Sequence, residues 1–416
     1  MLRLVLAGDV MLARGIDQIE RSSVDPELRE PAVRDARDYV RLAERSCGTI
    51  PRDVAPEYVW GDALETIREF RPHAIVLNLE NAFTTSNGFD PAKRIHYRSH
   101  PDNANILSTL ESQTGAPVIC ALANNHVLDL GRAGLQETLA TLERAGLAHT
   151  GAGADGQEAE TAAVVGRAPR KTAQERDEPG AQGSSSTAGE PGAAGSTSTQ
   201  GDHAGAHAGV AVIACCTSDA GIPPDWAAGA QPGVFLLHDL GEGSVQRLGE
   251  LARPHREAGR AVVVSIHWGG NWGYDVGMEQ RTFAERLAAS GVADVVHGHS
   301  SHHPRPFALH RGVPIFYGCG DLMNDYEGIG GHERFRPDLA ALWLVTLDDD
   351  TGLSELRIVP FRRDRFALRR ADAEANAWLA DELGRENRRV GGPSNRGPGD
   401  DEGVALEATP DGVFIR

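Results

Sequence analysis

The sequence predicts an α/β protein with a layered sheet core, and three observations carry this prediction. Short apolar runs alternate along the chain with helical patterns, as is typical of sheets packed against helices. One helical pattern places Leu135, Leu139 and Leu142 on a single face and is closed by Gly146. The length of 416 residues, with 40% hydrophobic residues, provides enough apolar side chains for a large core.

The predicted elements alternate along the chain. The first apolar run begins at residue 2, so a strand is expected to start at once. Strands are predicted over residues 2–7, 74–79, 117–122, 261–266, 293–297, 313–317 and 339–347. Helices are predicted over residues 62–70, 134–145 and 278–289. We expect one domain over residues 1–365, followed over 366–416 by a C-terminal helix and a loose tail, with Gly-, Pro- and Asp-rich residues 391–403 and a last strand at 412–416.

A stretch of small residues interrupts this pattern. Between residues 179 and 201, 20 of 23 residues are Gly, Ala, Ser, Thr or Pro, and none is large and apolar. Such a segment buries too little surface to offset its ordering entropy, so we predict a disordered insertion over about residues 167–209. The β-like runs at 161–165 and 210–215 flank it, which indicates a hairpin with a lengthened loop.

Charge and composition exclude several classes of function. The 41 Lys and Arg residues against 59 Asp and Glu give a formal net charge of −18, which argues against broad binding to nucleic acid or to anionic membranes. No apolar run reaches the roughly 20 residues of a membrane helix, and the N-terminus lacks the pattern of a signal peptide. Five cysteines without a CxxC pair indicate neither a disulfide framework nor a zinc knuckle. We therefore expect a soluble, cytoplasmic chain.

Polar side chains follow the predicted strands at their carboxyl ends. Asp9 comes after the first strand, Glu80 after the second, and the run Asn-Asn-His at 124–126 after the third. His267 follows the fourth strand, and four of the seven residues 297–303 are His. Because open α/β sheets bind ligands beyond the carboxyl ends of their strands, these side chains are expected to converge on one site.

These residue types indicate a metal site. Carboxylate, imidazole and amide ligands together suit Mn²⁺, Fe or Zn²⁺, and the set is large enough for two ions. Taken singly, each residue also has a structural interpretation: Asp9 as a turn or helix cap, Glu80 as a satisfied buried carboxylate, and His267 as a structural histidine. The alternative for residues 297–303 is a surface turn rich in His. The combination favours one or two divalent ions.

Seven motifs stand in a fixed order along the chain. They are GDVMLARG at 8–15, NLE at 78–80, YRSHP at 97–101, NNHVLDLG at 124–131, HWG at 267–269, GHSSH at 298–302 and YGCGDLMNDY at 317–326. In this order they resemble the CapA family of poly-γ-glutamate capsule biosynthesis proteins, which are similar to calcineurin-like metallophosphoesterases. The resemblance covers roughly residues 2–365 apart from the insertion. It implies a four-layer α/β/β/α sandwich, metallophosphoesterase-like, with the site at the strand ends.

The resemblance also implies roles for individual residues. The metal ligands would be Asp9, Glu80, Asn125, His267, His299 and His302. Glu80 would stand at the bridging position, and Asn125 would bind through its amide oxygen. His126 would lie beside the substrate, where an imidazole can protonate a leaving group.

Three further residues are candidates for substrate binding. Arg14 and Arg98 offer guanidinium groups to a phosphate or a polyglutamate carboxylate. Trp268, with Trp272 nearby, is a candidate wall of the pocket. The alternatives are surface ion pairs for the two arginines and core packing for the tryptophans.

Two positions depart from the metallophosphoesterase pattern. Metallophosphoesterases usually begin with Asp-x-His, whereas Met11 stands two residues after Asp9 in this chain. They also carry Gly-Asp-x-x-Asp, where this chain has Asn-Leu-Glu at 78–80. The CapA family shares both changes, so the resemblance to that family is unaffected.

Three functions are compatible with these observations. The first is a metal-dependent hydrolase that acts on a phosphoester or a related amide bond of an anionic, polyglutamate-like substrate. The second is a non-catalytic accessory or binding protein in the synthesis of a polyanionic polymer, which the missing Asp-x-His histidine favours. The third is a structural relative with a relict site. Capsule proteins of the family are commonly membrane-anchored outside the cell, whereas this sequence shows neither an anchor nor a signal.

Overall fold

A computed structural model describes residues 1–166, 207–349, 351–390 and 405–415 of the chain. The insertion predicted over residues 167–209 lies outside the described residues except for its last three, where Gly209 begins a strand. The loose segment predicted over residues 391–403 lies wholly outside them.

The described residues form 21 strands and eight α-helices. The strands are β1 (Leu2–Val10), β2 (Ala74–Leu79), β3 (Ala82–Phe83), β4 (Arg98–Ser99), β5 (Val118–Ala121), β6 (Ala148–Thr150), β7 (Ala152–Gly153), β8 (Ala163–Gly166), β9 (Gly209–Thr217), β10 (Gly233–Val234), β11 (Leu236–Leu237), β12 (Ala261–His267), β13 (Val295–His299), β14 (Phe307–His310), β15 (Val313–Phe316), β16 (Asp321–Met323), β17 (Leu339–Asp348), β18 (Gly352–Asp364), β19 (Ala367–Arg370), β20 (Leu406–Thr409) and β21 (Gly412–Ile415). The helices are α1 (Arg37–Cys47), α2 (Ala63–Phe70), α3 (Asn105–Thr114), α4 (Gly131–Arg144), α5 (Gly156–Ala159), α6 (Glu242–Glu257), α7 (Met278–Ala289) and α8 (Ala373–Val390).

The first large sheet contains the N-terminal strand. Its order is β20-β21-β18-β17-β1-β2-β5-β6, with β16 beside β1 and β19 beside β18. Strands β1, β2, β5 and β6 run parallel, and β17 runs antiparallel to β1. The carboxyl ends of β1, β2 and β5 therefore lie at one edge of the sheet, which brings Asp9, Glu80 and residues 124–126 to the same side.

The second large sheet has the order β11-β9-β12-β13-β15-β14, with β8 beside β9. Strands β9, β12, β13 and β15 run parallel, so their carboxyl ends also share one edge. Strand β8 pairs antiparallel with β9, with Ala163 opposite Val212, which confirms the predicted hairpin around the insertion.

The apolar side chains form three layers of contact. Leu4, Val212 and Val263 are fully buried in a cluster between the two sheets. Leu135 of α4 packs behind the first sheet, and Phe283 of α7 packs behind the second. Helices thus cover the outer face of each sheet, which gives the four-layer α/β/β/α sandwich expected from the resemblance.

The position of β1 within the fold explains why its residues are almost all apolar. Leu2, Leu4 and Leu6 point into the cluster between the sheets, whereas Val5 and Ala7 point toward the helices. Successive side chains of a strand alternate between its two faces, and both faces of β1 are covered. A strand in this position has no face in water, so a continuous apolar run is required.

Three of the strands that carry site residues extend further than predicted. Strand β1 continues to Val10, β12 to His267 and β13 to His299. The backbone ladder continues past the apolar runs, because Asp9 pairs with Asn78 and His267 pairs with His299. Asp9, His267 and His299 thus stand at the ends of strands, whereas Glu80, residues 124–126 and His302 lie in the segments that follow β2, β5 and β13.

The C-terminal part of the chain packs onto the same core. Leu379 and Leu383 of α8 belong to the cluster between the sheets. The predicted last strand is present as β21, which pairs with β18 through Val413 and Ile358. The division of the chain at residue 365 stays a prediction.

Two further sequence expectations concern cysteines and membrane helices. All five cysteines, at 47, 120, 215, 216 and 319, are free thiols. Burial raises the pKa of the Cys215 and Cys216 thiols, so neither is poised as a nucleophile. Among the helices of the described residues, none is both long enough and apolar enough to cross a bilayer.

The buried carboxyl group of Glu20 is expected to make the stability of the fold depend on pH. Glu20 is 6% exposed, and its Oε1 has no hydrogen-bond partner among the described residues. Burial, with Asp17 adding to it, raises the pKa of Glu20 to about 8. The folded chain therefore binds a proton that the unfolded chain releases near pH 4.3, so the free energy of unfolding falls as pH rises from about 4.3 to 8.

We expect Glu20→Gln to remove this pH dependence. The variant should exceed the wild type in free energy of unfolding at pH 8 by at least about 1 kcal/mol and differ less at pH 5. Urea unfolding at the two pH values measures the effect, with Glu65→Gln on an exposed face of α2 as the control. An equal pH dependence in wild type and Glu20→Gln would contradict the assignment.

Candidate metal centre

The candidate site lies where the carboxyl ends of the two sheets meet. Asp9 of β1 faces His267 of β12 and His299 of β13, and all three side chains are buried. The backbone N–H of Ser300 donates to Asp9 Oδ2 at 3.2 Å. A second contact joins the sheets a little deeper, since His297 Nε2 lies 3.0 Å from the carbonyl oxygen of Ala7.

Two groups of side chains in this region have the composition of metal sites. Asp9, His267 and His299 form one group, and Asp9, His302 and Asp321 form the other. Within each group one ligand atom per residue lies within 4.8 Å of the others. Asp9 is common to both groups, whereas the bridging position that the resemblance implies for Glu80 stays a prediction.

Asp321 was missed by the sequence analysis. The motif at 317–326 was noted as a family feature, but Asp321 precedes the apolar residues Leu322 and Met323 and carries no strand-end signal. In the structure β16 runs parallel to β1, with Asp321 opposite Asp9. This pairing sets the two carboxylates side by side, and burial keeps both from solvent.

Asn78 holds the carboxylates of Asp9 and Glu80 together. Its Nδ2 donates to Asp9 Oδ1 at 2.7 Å and to Glu80 Oε2 at 3.0 Å. Its Oδ1 accepts a hydrogen bond from Asn124 Nδ2 at 3.0 Å, which ties the end of β2 to the loop after β5. Glu80 therefore lies beside Asp9 without belonging to either group.

His126 lies at the same edge, next to Glu80. Its Nδ1 is 2.6 Å from Asp129 Oδ2, and its Nε2 is 3.9 Å from Glu80 Oε1. The side chain of Asn124 accepts from the backbone N–H of His126 at 3.0 Å, which orients the loop. Burial, only partly opposed by Asp129, lowers the pKa of His126 to about 4.

The two histidines from the second sheet contact each other. His267 Nδ1 and His299 Nδ1 are 2.9 Å apart, and His299 Nε2 is 3.0 Å from Ser265 Oγ. His297 Nδ1 is bound by the same hydroxyl at 3.0 Å. Both ring nitrogens of His297 are therefore in hydrogen-bond contact, Nδ1 with Ser265 and Nε2 with the first sheet, whereas His267 and His299 face Asp9.

The turn after β13 wraps around Asp9 in a strained conformation. Ser300 has φ 93° and His302 has φ 58°, values in the left-handed region that residues other than glycine rarely adopt. His302 Nδ1 is held 2.8 Å from Asp321 Oδ1. Burial alone would lower the pKa of His302, but the carboxylates of Asp321 and Asp9 outweigh it and raise the pKa. Such strain persists where surrounding contacts hold a site in place.

Burial also shifts the other titrating groups of the site. It raises the pKa of Asp9 to about 7, with Asp321 adding to it, and raises the pKa of Glu80, with Asp9 adding to it. It lowers the pKa of His267 and His299 well below the usual range. Carboxylates crowded together with neutral imidazoles form an environment in which a divalent cation would relieve repulsion.

Two atoms at the site test whether its residues fit a metal. His267 Nε2 and Asn125 Oδ1 are buried and have no hydrogen-bond partner in the described part of the chain. Buried polar atoms are nearly always paired, so each such atom requires an explanation. An imidazole nitrogen and an amide oxygen are both lone-pair donors to metals, and in this respect the residues fit a divalent ion.

Arg14 and Arg98 are both buried, and their predicted role in substrate binding stays a prediction. Arg14 is 3% exposed, and its guanidinium donates to the carboxylates of Asp325 and Glu30. Arg98 is 4% exposed and donates to the carbonyl oxygens of Ser86 at 3.1 Å and Asp25 at 2.7 Å. Both guanidinium groups are thus bound within the protein, in buried contacts and not in the surface ion pairs of the alternative.

Trp268 and Trp272 occupy different environments. Trp268 is fully buried, and its Nε1 donates to the carbonyl oxygen of Tyr317 at 3.0 Å, so it packs in the core as the alternative interpretation held. Trp272 is half-buried at the border of the site, with its ring 5.5 Å from that of His302 and stacked at 4.0 Å on His332. Trp272 is therefore the tryptophan that borders the candidate centre.

The protein is thus a four-layer α/β protein with a buried set of carboxylates and imidazoles at the junction of its two sheets. The chain belongs to the family described as bacterial capsule synthesis protein PGA_cap, whose model matches residues 3–326. The match spans all seven motifs and confirms the resemblance to CapA proteins.

Named relatives support the same assignment. Two proteins of Mycobacterium tuberculosis, each named a probable polyglutamine synthesis accessory protein, are 40% identical over 390 residues, which are 93% of this chain and 91% of each relative. The PGA biosynthesis protein CapA of Bacillus subtilis is 24% identical over 249 residues, which are 60% of this chain and 52% of that protein.

Among solved structures, a 5'-nucleotidase precursor from Thermus thermophilus is similar to this chain. The TM-score is 0.41 at 14% sequence identity. The similarity covers 94% of this chain but 59% of that one, so this chain spans about three fifths of its length.

Proposed function

We propose that this protein acts in the synthesis of a polyglutamate-like polymer as a divalent-metal-dependent hydrolase of a phosphoester or a related amide bond. The observation that carries the proposal is the arrangement of two ligand groups around one common carboxylate, Asp9, together with the buried His267 Nε2, which has no hydrogen-bond partner among the described residues. Two ions that share a carboxylate form a common arrangement in hydrolases of phosphoesters.

The proposed ligands come from both sheets. Asp9, His267 and His299 would hold one ion, and Asp9, His302 and Asp321 would hold the second, with Glu80 and Asn125 at their border. Mixed carboxylate and imidazole sites of this kind take Mn²⁺, Fe or Zn²⁺. When bound, such ions activate water and neutralise charge on a phosphoryl group.

His126 is the proposed proton-transfer residue. Its hydrogen bond to Asp129 fixes the proton on Nδ1 and leaves Nε2 directed toward Glu80. An imidazole fixed in this way offers the Nε2 lone pair as a base to a substrate or water at the strand ends, and it can pass a proton to a leaving group once Nε2 has accepted one. Residues 1–365 are proposed to contain the whole of this unit.

The second candidate is a non-catalytic accessory role in polymer synthesis. The observation that favours it is Met11, which replaces the Asp-x-His histidine and packs with Ala13 and Tyr97 in a small apolar cluster. A thioether in this position supplies no hard ligand, so the first ion position has fewer donors than a phosphoesterase offers. The names of the relatives, as accessory proteins, fit the same role.

Metal content of the purified, untagged protein tests the proposal. We expect one to two equivalents of Mn, Fe or Zn by elemental analysis, and reduced occupancy in Glu80→Ala and His302→Ala without loss of folding. His310→Ala is the control, because His310 pairs with Val313 at the opposite, amino end of β15. Metal content that is unchanged in both site variants would contradict the ligand set. An absence of metal after reconstitution would favour the accessory role.

A further inference from the structure

Two hydrogen-bonded tyrosines lie next to His126 and His302 of the site. Tyr97 Oη and Tyr326 Oη are 2.6 Å apart. The Tyr97 ring is 4.2 Å from the ring of His126, and the Tyr326 ring is 5.9 Å from the ring of His302. The two tyrosines that share this hydrogen bond therefore lie next to the proposed proton-transfer residue and a proposed ligand, respectively.

Buried charges fix the positions of both rings. The Arg14 guanidinium carbon is 4.6 Å from the centroid of the Tyr97 ring and 5.8 Å from that of Tyr326. Asp325, the neighbour of Tyr326 in sequence, binds this guanidinium and also accepts from the backbone N–H of Gly15 at 2.9 Å. The backbone N–H of Tyr97 donates to Asp129 Oδ2 at 2.8 Å, the same oxygen that orients His126.

One of the two hydroxyl hydrogens has only a weak acceptor within the described part of the chain. Each phenol has one O–H, and the bond between them uses one of the two hydrogens. Within the described chain, the recorded acceptor for the other is Met11 Sδ, 3.8 Å from Tyr326 Oη. A thioether is a weak acceptor, so this hydrogen is available to a stronger one.

We propose that the Tyr97–Tyr326 pair binds an anionic oxygen of the substrate, of a phosphoryl or a carboxylate group, by donating this hydrogen. The proposal rests on the proposed function, because it places the substrate beside the metal centre. A hydrogen bond to a charged acceptor is about twice as strong as a neutral one, so the pair discriminates in favour of anions. The two tyrosines thus supply the anion recognition that Arg14 and Arg98, bound within the protein, do not.

Tyr97→Phe and Tyr326→Phe test the proposal, because each removes a hydroxyl and keeps the ring. Tyr39→Phe is the matched control, since Tyr39 also packs on Arg14 at 3.9 Å but its hydroxyl is bound to Glu30 and Arg14. Isothermal titration with Mn²⁺ is followed by titration of the Mn²⁺-loaded protein with inorganic phosphate and, separately, with γ-glutamylglutamate. Thermal unfolding verifies that each variant is folded.

The proposal predicts unchanged Mn²⁺ affinity in all three variants. Affinity for the anion should fall about tenfold in Tyr97→Phe and in Tyr326→Phe and stay unchanged in Tyr39→Phe, as expected for one hydrogen bond to a charged group. The double variant should lose little more than either single one, because the hydroxyls act as a pair. The anion whose affinity falls, phosphate or the carboxylate compound, identifies the substrate group.

Two failures are distinguishable. The tyrosine proposal would be overturned, and the metal centre left intact, if Tyr97→Phe and Tyr326→Phe bind Mn²⁺ normally and keep wild-type affinity for both anions. The same holds if the wild type binds Mn²⁺ normally but binds neither anion. A wild-type protein that binds none of Mn²⁺, Fe²⁺ and Zn²⁺ would overturn both proposals. A combined loss of Mn²⁺ and anion affinity in the tyrosine variants would indicate a structural role for the pair and would also overturn the inference.

Discussion

Asp9→Asn is expected to abolish the binding of both ions at once. Asp9 belongs to both ligand groups, whereas His267 and Asp321 each belong to one. Loss of a partner that only supports a ligand already costs about 10–100-fold in metal affinity, so loss of a shared ligand should cost more than about 100-fold at both positions. Isothermal titration with Mn²⁺ measures affinity and stoichiometry together.

Comparison among variants distinguishes a shared ligand from an ordinary one. His267→Ala and Asp321→Asn should each remove one equivalent and keep the other, while Asp62→Asn, in an exposed ion pair with Arg369, should keep both. The metal-free Asp9→Asn protein should unfold at no lower temperature than the wild type, because the substitution removes a charge beside Asp321. Retention of one full equivalent by Asp9→Asn would exclude the shared role.

Arg14→Met is expected to lower the free energy of unfolding by about 3–5 kcal/mol. Arg14 is 3% exposed, and its loss leaves the carboxylates of Asp325 and Glu30 buried without their cation. Methionine keeps much of the apolar contact with the neighbouring rings, so the measured loss reports mainly on the uncompensated charge. Urea unfolding at neutral pH measures it.

An exposed ion pair gives the matched comparison. Arg41 and Asp38 are about half exposed, at 57% and 46% of their side-chain surfaces, so Arg41→Met should cost less than about 1 kcal/mol. The predicted substrate-binding role of Arg14 would instead give reduced affinity for substrate with little change in stability. Equal stability of Arg14→Met and Arg41→Met would therefore contradict the structural role described for Arg14.

The position of a site residue was predictable from the sequence where that residue comes at the end of an apolar strand. The apolar runs predict strands, and the parallel order of β1, β2 and β5 brings Asp9 and Glu80 together at their carboxyl ends. Polar side chains such as those of Asp9 and Glu80 are recognisable in the sequence because each follows a long run of buried apolar residues. The layered fold and the convergence of polar groups were predictable for the same reason.

Contacts between distant segments were not predictable in this way. Asp325 lies 311 residues after Arg14, so nothing near Arg14 in the sequence shows that its guanidinium is bound. Asp321 starts a strand of three residues, too short to produce an apolar signal, and only its pairing with β1 sets it beside Asp9. Both features depend on tertiary pairing, which local patterns do not encode.

Strand ends from both sheets meet at Asp9, His267 and His299, so this cluster exists only after the sheets have docked. More than 250 residues of chain separate Asp9 from the two histidines. An ion held across that junction binds the folded chain in preference to the unfolded one, and its supply is then thermodynamically linked to folding. Cells starved of the ion would hold a less stable protein with more chain open to proteases, so metal supply would govern the abundance of this protein.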